Sequence, residues 1–171
     1  MDTHDFDEAA AFWTKKDEAS APMPEEKLRA WIDGFLADHN TLALATASPS
    51  AVRCTPLEYR WKQHAFVIVS EGGEKFQHLK SSSSVAVAVF EPYAGFGKLA
   101  SVQAEGTAMI DRLDAESYGK LSEWVDYPAA VFQKLDHPMY LIRVMPVRMD
   151  VLCSAFREQG FGTRQHLACS K

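Results

Sequence analysis

The side chains best suited to holding an anion are gathered at one place in this sequence. Val67-Ile68-Val69 runs into Ser70-Glu71-Gly72-Gly73-Glu74-Lys75-Phe76, an apolar strand followed by a hydroxyl, two adjacent glycines and a lysine that opens a short helix. Paired glycines let successive backbone N–H groups turn toward one point, and a helix start with a nearby ammonium adds a charge-assisted donor. The chemistry indicated is recognition of a phosphorylated cofactor or ligand. Glu71 and Glu74 oppose an anion, so Lys75 must outreach them, and a Gly-Gly turn between strand and helix is also ordinary punctuation.

Other chemistries find no pattern. No G-x-S-x-G, H-E-x-x-H or G-x-G-x-x-G is present, and the six histidines, His4, His39, His64, His78, His137 and His166, are scattered. The three cysteines, Cys54, Cys153 and Cys169, lie far apart without C-x-x-C spacing. Neither a zinc site nor a disulfide framework is indicated, and reduced thiols fit a cytoplasmic protein.

The elements that must position these groups follow from periodicity. Phe6, Ala9, Ala10 and Trp13 recur at helical spacing over residues 5–18, and Leu28, Trp31, Ile32, Phe35 and Leu36 mark the apolar face of a second helix over 24–38. His39 falls at that helix's C-terminus, a favourable place for an imidazolium. The period then changes to two. Residues 41–46 and 52–61 read as a hairpin around Ser48-Pro49-Ser50, 65–70 as a third strand, 74–82 as a short helix, and 85–90 as a fourth strand. The Val-Ala-Val-Ala-Val-Phe run of that fourth strand is apolar on both faces, predicting full burial. Residues 91–99 form a loop, and 100–110 form a strand with a bulge or close approach at Gly106. Residues 113–124 and 128–135 return to helical spacing, and 139–152 form a long strand pair or bent strand around Pro146. Residues 153–171 show no clear period.

A chain of 171 residues with 47% hydrophobic and 24% charged residues can bury one core, and a single domain spanning 1–171 is expected. Within it, 1–24 is an N-terminal helical extension, 25–152 the core and 153–171 a tail. A net charge of −5 without a lysine or arginine cluster argues against nucleic acid, and no apolar run reaches membrane length. Six strand segments with small helices between them predict a mainly β, α+β fold, a six-stranded antiparallel split barrel, closed or partly closed, with peripheral helices.

The order of these segments resembles the pyridoxamine 5'-phosphate oxidase-like family of FMN-binding split barrels, over about residues 25–150. The resemblance rests on Leu42-Ala43-Leu44-Ala45-Thr46, Val52-Arg53-Cys54-Thr55-Pro56-Leu57, Ser70 to Phe76, and Ser101-Val102-Gln103-Ala104-Glu105-Gly106-Thr107-Ala108. It implies a homodimer with FMN in grooves between the subunits. Arg53, Cys54, Thr55 and Pro56 would line the flavin ring, with Arg53 able to reach the phosphate or ribityl chain. Ser70 and Lys75 would hold the phosphate, and Ser101 and Gln103 would approach from the partner subunit. Glu74 stands where the oxidase proper tends to have a second basic residue.

The oxidase's closing arginine-and-histidine substrate motif has no match in Gly160-Phe161-Gly162-Thr163-Arg164-Gln165-His166-Leu167. The expectation is therefore an FMN-dependent oxidoreductase, cytoplasmic and homodimeric, that works with a small-molecule substrate or electron donor and is not a true pyridoxamine phosphate oxidase. A non-catalytic flavin or heme binding protein for storage, sensing or redox buffering is the alternative, with His64 or His78 as heme ligands. A deazaflavin could also occupy the same fold. The sequence singles out no catalytic side chain, and a bound flavin demands no protein nucleophile or triad because it carries the electron chemistry itself.

Overall fold

In the computed structural model the described residues are 3–113, 117, 121, 124–125, 135 and 137–169. The helical segments expected over 113–124 and 128–135 lie largely outside them. Apolar alternation produces one antiparallel sheet of eight strands. These are β1 (Thr41–Ser48), β2 (Ala51–Glu58), β3 (Arg60–Lys62), β4 (Ala65–Ser70), β5 (Ser84–Phe90), β6 (Ala100–Leu113), β7 (Met139–Cys153) and β8 (Arg164–Ala168). They pair in the order β2-β1-β5-β6-β7-β4-β3, with β8 on β7. Among the described residues, α1 (Thr3–Glu18), α2 (Glu25–Asp38) and α3 (Lys75–Ser81) are α-helices.

Eight strands replace the six segments of the sequence reading for two reasons. The second segment divides at Tyr59, which is buried and donates its hydroxyl to the Leu36 carbonyl at 2.8 Å, leaving β3 to pair with β4. The tail contributes β8, in which buried Gln165 and Leu167 alternate with Arg164, His166 and Ala168. Five residues are too few for a clear period in the sequence.

The split arises along β7. One edge of this strand pairs with β6 throughout, whereas the other pairs with β4 over Tyr140–Val144 and with β8 over Arg148–Leu152. The register shifts between Glu105 and Gly106, so Gly106 faces Pro146 while Glu105 faces Arg148. A bulge of this kind bends a strand and is a place where a sheet tolerates proline. A Cβ on Gly106 would lie 2.5 Å from the Met145 carbonyl oxygen, which accounts for the glycine predicted at this close approach.

Leu28, Ile32 and Leu36 of α2 cover the inner face, where Leu42, Leu44, Val87, Val102, Ile142 and Phe156 form the core. Trp31 stacks on Phe35 at 4.9 Å and meets Phe156 edge-on at 5.0 Å. His39 follows α2 as expected, with Nδ1 2.7 Å from the Phe35 carbonyl. β5 departs from the expectation of full burial. Val85, Val87 and Val89 are buried, but Ala86 and Phe90 are exposed, so within one chain only the valine face is covered.

Candidate functional site

Strand alternation sorts the expected binding residues onto two faces. Thr46 stands opposite Arg53 and Leu44 opposite Thr55, whereas Ala45 stands opposite Cys54 and Ala43 opposite Pro56. Directly paired residues project from the same face. Arg53 and Thr55 thus share the side of Leu44 and Thr46, and Cys54 and Pro56 share the outer side. The four consecutive residues expected to line one ring therefore reach two surfaces that meet at the β2 edge.

The first surface contains the corner where Lys75, Ser70 and the two glycines meet. Lys75 opens α3 and is only 7% exposed. Its ammonium donates to the Gly72 carbonyl and lies 5.4 Å from the Phe76 ring centroid. Burial pushes its pKa down, the neighbouring Arg53 pushes it further down, and Glu71 opposes them. Ser70, also buried, accepts the Gly72 N–H at 3.2 Å. Gly72 and Gly73 have φ of +123° and +97°, a backbone region open to glycine, so the pair is required by the turn itself. Arg53 forms an ion pair with Glu74. The Thr55 hydroxyl is buried without a hydrogen-bond partner among the described residues. A desolvated ammonium, a guanidinium and an unpartnered hydroxyl fit a ligand that carries a phosphate and polar chain atoms.

The second surface is a floor of small side chains. Ala43 pairs with Ala88 and Ala45 with Ala86, and these continue across β5 to Gln103 and Glu105 of β6. A shallow cavity of about 220 Å³ lies over Ala43, Ala45, Cys54, Ala86, Ala88 and Gln103. Methyl side chains in two adjacent rows leave a face flat enough for a planar group or for a second sheet.

Ser101 and Gln103 lie on the outer face of β6, at the far end of this floor. They also line a cavity of about 460 Å³ with Trp13, Asp17, Arg148 and His166. Within one chain the structure does not bring them to Lys75. Around this cavity His166 Nδ1 lies 2.6 Å from Asp150 Oδ1, which also accepts from Arg148 Nε at 3.0 Å. The Arg164 guanidinium lies 4.3 Å from the Trp13 ring centroid. Arg148, Asp150 and the tail residues were not among the expected site residues. The strand that carries Arg164 and His166 is five residues long, too short to give a clear period in the sequence.

The two histidines considered as heme ligands are placed differently. His78 Nδ1 lies 3.1 Å from the Thr46 hydroxyl and 3.2 Å from the Thr46 carbonyl. His64 is exposed in the β3–β4 turn, 3.5 Å from Asp33. No group of three or more potential metal ligands occurs among the described residues. No described helix is long and apolar enough to cross a membrane.

No family model matches the sequence, and no curated protein matches it. Solved structures do match. A conserved hypothetical protein from Mycobacterium tuberculosis is 20% identical, with a TM-score of 0.63 over 90% of this chain and 96% of that one. An FAD-binding protein from Mesorhizobium loti is 16% identical, with a TM-score of 0.57 over 71% of this chain and 89% of that one. A heme binding protein from Mycobacterium smegmatis is 17% identical, with a TM-score of 0.56 over 80% of this chain but 56% of that one. At these identities the likeness is one of fold, and it agrees with the antiparallel sheet and small helices described above. The chain has the split-barrel fold implied by its resemblance to the pyridoxamine 5'-phosphate oxidase-like family.

Proposed function

We propose that this protein is an FMN-binding oxidoreductase that works as a homodimer on a small-molecule substrate. The observation that carries the reading is Lys75, a cation held 93% buried beside Arg53 and Ser70 on one surface of a split barrel. Burying an ammonium is costly unless something compensates it, and a phosphate dianion compensates it well. In this reading Lys75 and Arg53 hold the phosphate, and Ser70 fixes the Gly72 loop around it. The Thr55 hydroxyl donates to the ribityl chain. The alanine floor, edged by Cys54 and Pro56, takes the flat ring, and Ser101 and Gln103 of a second copy approach it across the dimer. The name of the Mesorhizobium loti structure supports a flavin on this fold.

When bound, FMN supplies reversible electron and hydride transfer, so the chain needs no nucleophile of its own. Its residues orient the ring and exclude water from one side. The free cysteines suit a cytoplasmic setting.

The test is anaerobic mixing of FMN-loaded protein with reduced nicotinamide donors while the flavin band near about 450 nm is followed. Bleaching faster than that of free FMN supports the oxidoreductase reading. Retained FMN that is reduced no faster than free FMN overturns it in favour of storage or sensing.

A further inference from the structure

Glu74 occupies the N-cap position of α3, yet its side chain makes no capping hydrogen bond. Its carboxylate turns to Arg53 on β2 and pairs with the guanidinium whose charge acts on Lys75. The corner thus holds two cations, Arg53 and Lys75, and two carboxylates, Glu71 and Glu74. Glu71 acts on Lys75, whereas Glu74 occupies Arg53 directly.

We infer that Glu74 is a built-in competitor for the phosphate of the cofactor, and that its displacement from Arg53 sets how strongly the site prefers a phosphorylated flavin to riboflavin. The inference rests on the FMN reading above. A carboxylate on a guanidinium takes the same donors that a phosphate oxygen needs, because both acceptors engage the planar fork. A dianion entering the corner meets a formally balanced set of charges unless one carboxylate leaves. Glu74 can leave. Its side chain is 74% exposed and that of Arg53 is 44% exposed, and an ion pair so open to water is weak and screened by salt. Glu74 therefore acts as a reversible gate on a site that Lys75 keeps in place. Riboflavin carries no phosphate and leaves the gate shut without penalty.

The test compares FMN and riboflavin affinities by titration on the full chain. Glu74→Gln keeps the shape of the side chain and is expected to tighten FMN by about two- to fivefold while leaving riboflavin affinity unchanged. In an Arg53→Gln background the same substitution is expected to give no gain. Glu71→Gln serves as the control for general charge, because Glu71 does not pair with Arg53, and it is expected to give a smaller gain than Glu74→Gln. An equal gain for both ligands, an equal gain from Glu71→Gln, a gain that survives loss of Arg53, or no gain at all would each overturn the gate. If neither the unaltered protein nor Glu74→Gln binds any flavin, the FMN reading itself falls, an outcome distinguishable from failure of the gate.

Discussion

Gln165 and Met23, 142 residues apart, are joined by a buried hydrogen bond of 2.8 Å from the Met23 N–H to the Gln165 side-chain carbonyl. The same amide group donates to the Gly162 carbonyl at 2.8 Å and to the Ala21 carbonyl at 3.3 Å. One side chain thus ties the tail to the segment between α1 and α2. Gln165→Ala leaves the buried Met23 N–H unpaired and is expected to cost roughly 2 to 3 kcal/mol, or about 5 to 10 °C in melting temperature. Thermal unfolding followed by circular dichroism checks this, and a change within about 1 °C would show that the clamp contributes nothing.

The strands and helices of the core were legible in the sequence because each carries a long single period, as in Leu42, Leu44 and Thr46 of β1 or Leu28, Ile32 and Leu36 of α2. Gly106 was legible because a lone glycine in an alternating strand has few other uses. The tail was not. Gln165 is a polar residue buried by partners more than 140 positions away, and nothing local marks it. Neither was the exposure of Ala86, since small apolar residues read alike whether they face a core or an open surface. The Gly72–Gly73 turn between β4 and α3 was readable in the sequence, but the turn of Glu74 toward Arg53 joins two segments and required the β1–β2 register.

Tyr59 illustrates a buried polar group that shapes pH behaviour. Its hydroxyl is satisfied by the Leu36 carbonyl, and burial pushes its pKa well above the ordinary tyrosine value. With the folded-state pKa raised, the stabilisation is complete below about pH 10, where the unfolded tyrosine ionises, and is lost as pH rises beyond that toward the folded-state value. Tyr59→Phe is expected to cost about 1 kcal/mol at pH 7 and to flatten the alkaline loss of stability. Urea unfolding at pH 7 and above pH 10 checks both; parallel alkaline losses in the two proteins would contradict the assignment.

Lys75 shows the opposite sign. Its lowered pKa means that the unfolded chain binds the proton more tightly, so the buried cation costs stability at neutral pH, and stability recovers as pH rises from the folded-state value toward 10.5. Lys75→Met is expected to raise the melting temperature of the cofactor-free protein by about 2 to 4 °C. The same variant is expected to lose roughly ten- to a hundred-fold in FMN affinity while riboflavin is spared. Equal loss of both ligands would place Lys75 on the ring or the fold instead of the phosphate.

The open alanine face predicts association. Light scattering is expected to give twice the 19.1 kDa chain mass. Ala86→Glu, which adds a charge to an exposed position, is expected to release folded monomers that no longer retain FMN. A monomeric unaltered protein that keeps its cofactor would remove Ser101 and Gln103 from the site.

The most direct measurement is calorimetric titration of the dialysed protein with FMN and, separately, with riboflavin. The expected result is one FMN per chain, held at least about tenfold more tightly than riboflavin, as charge-assisted contacts to one phosphate require. Equal affinity for the two flavins, or no binding of either, would contradict the assignment of Lys75, Arg53 and Ser70 to a phosphate.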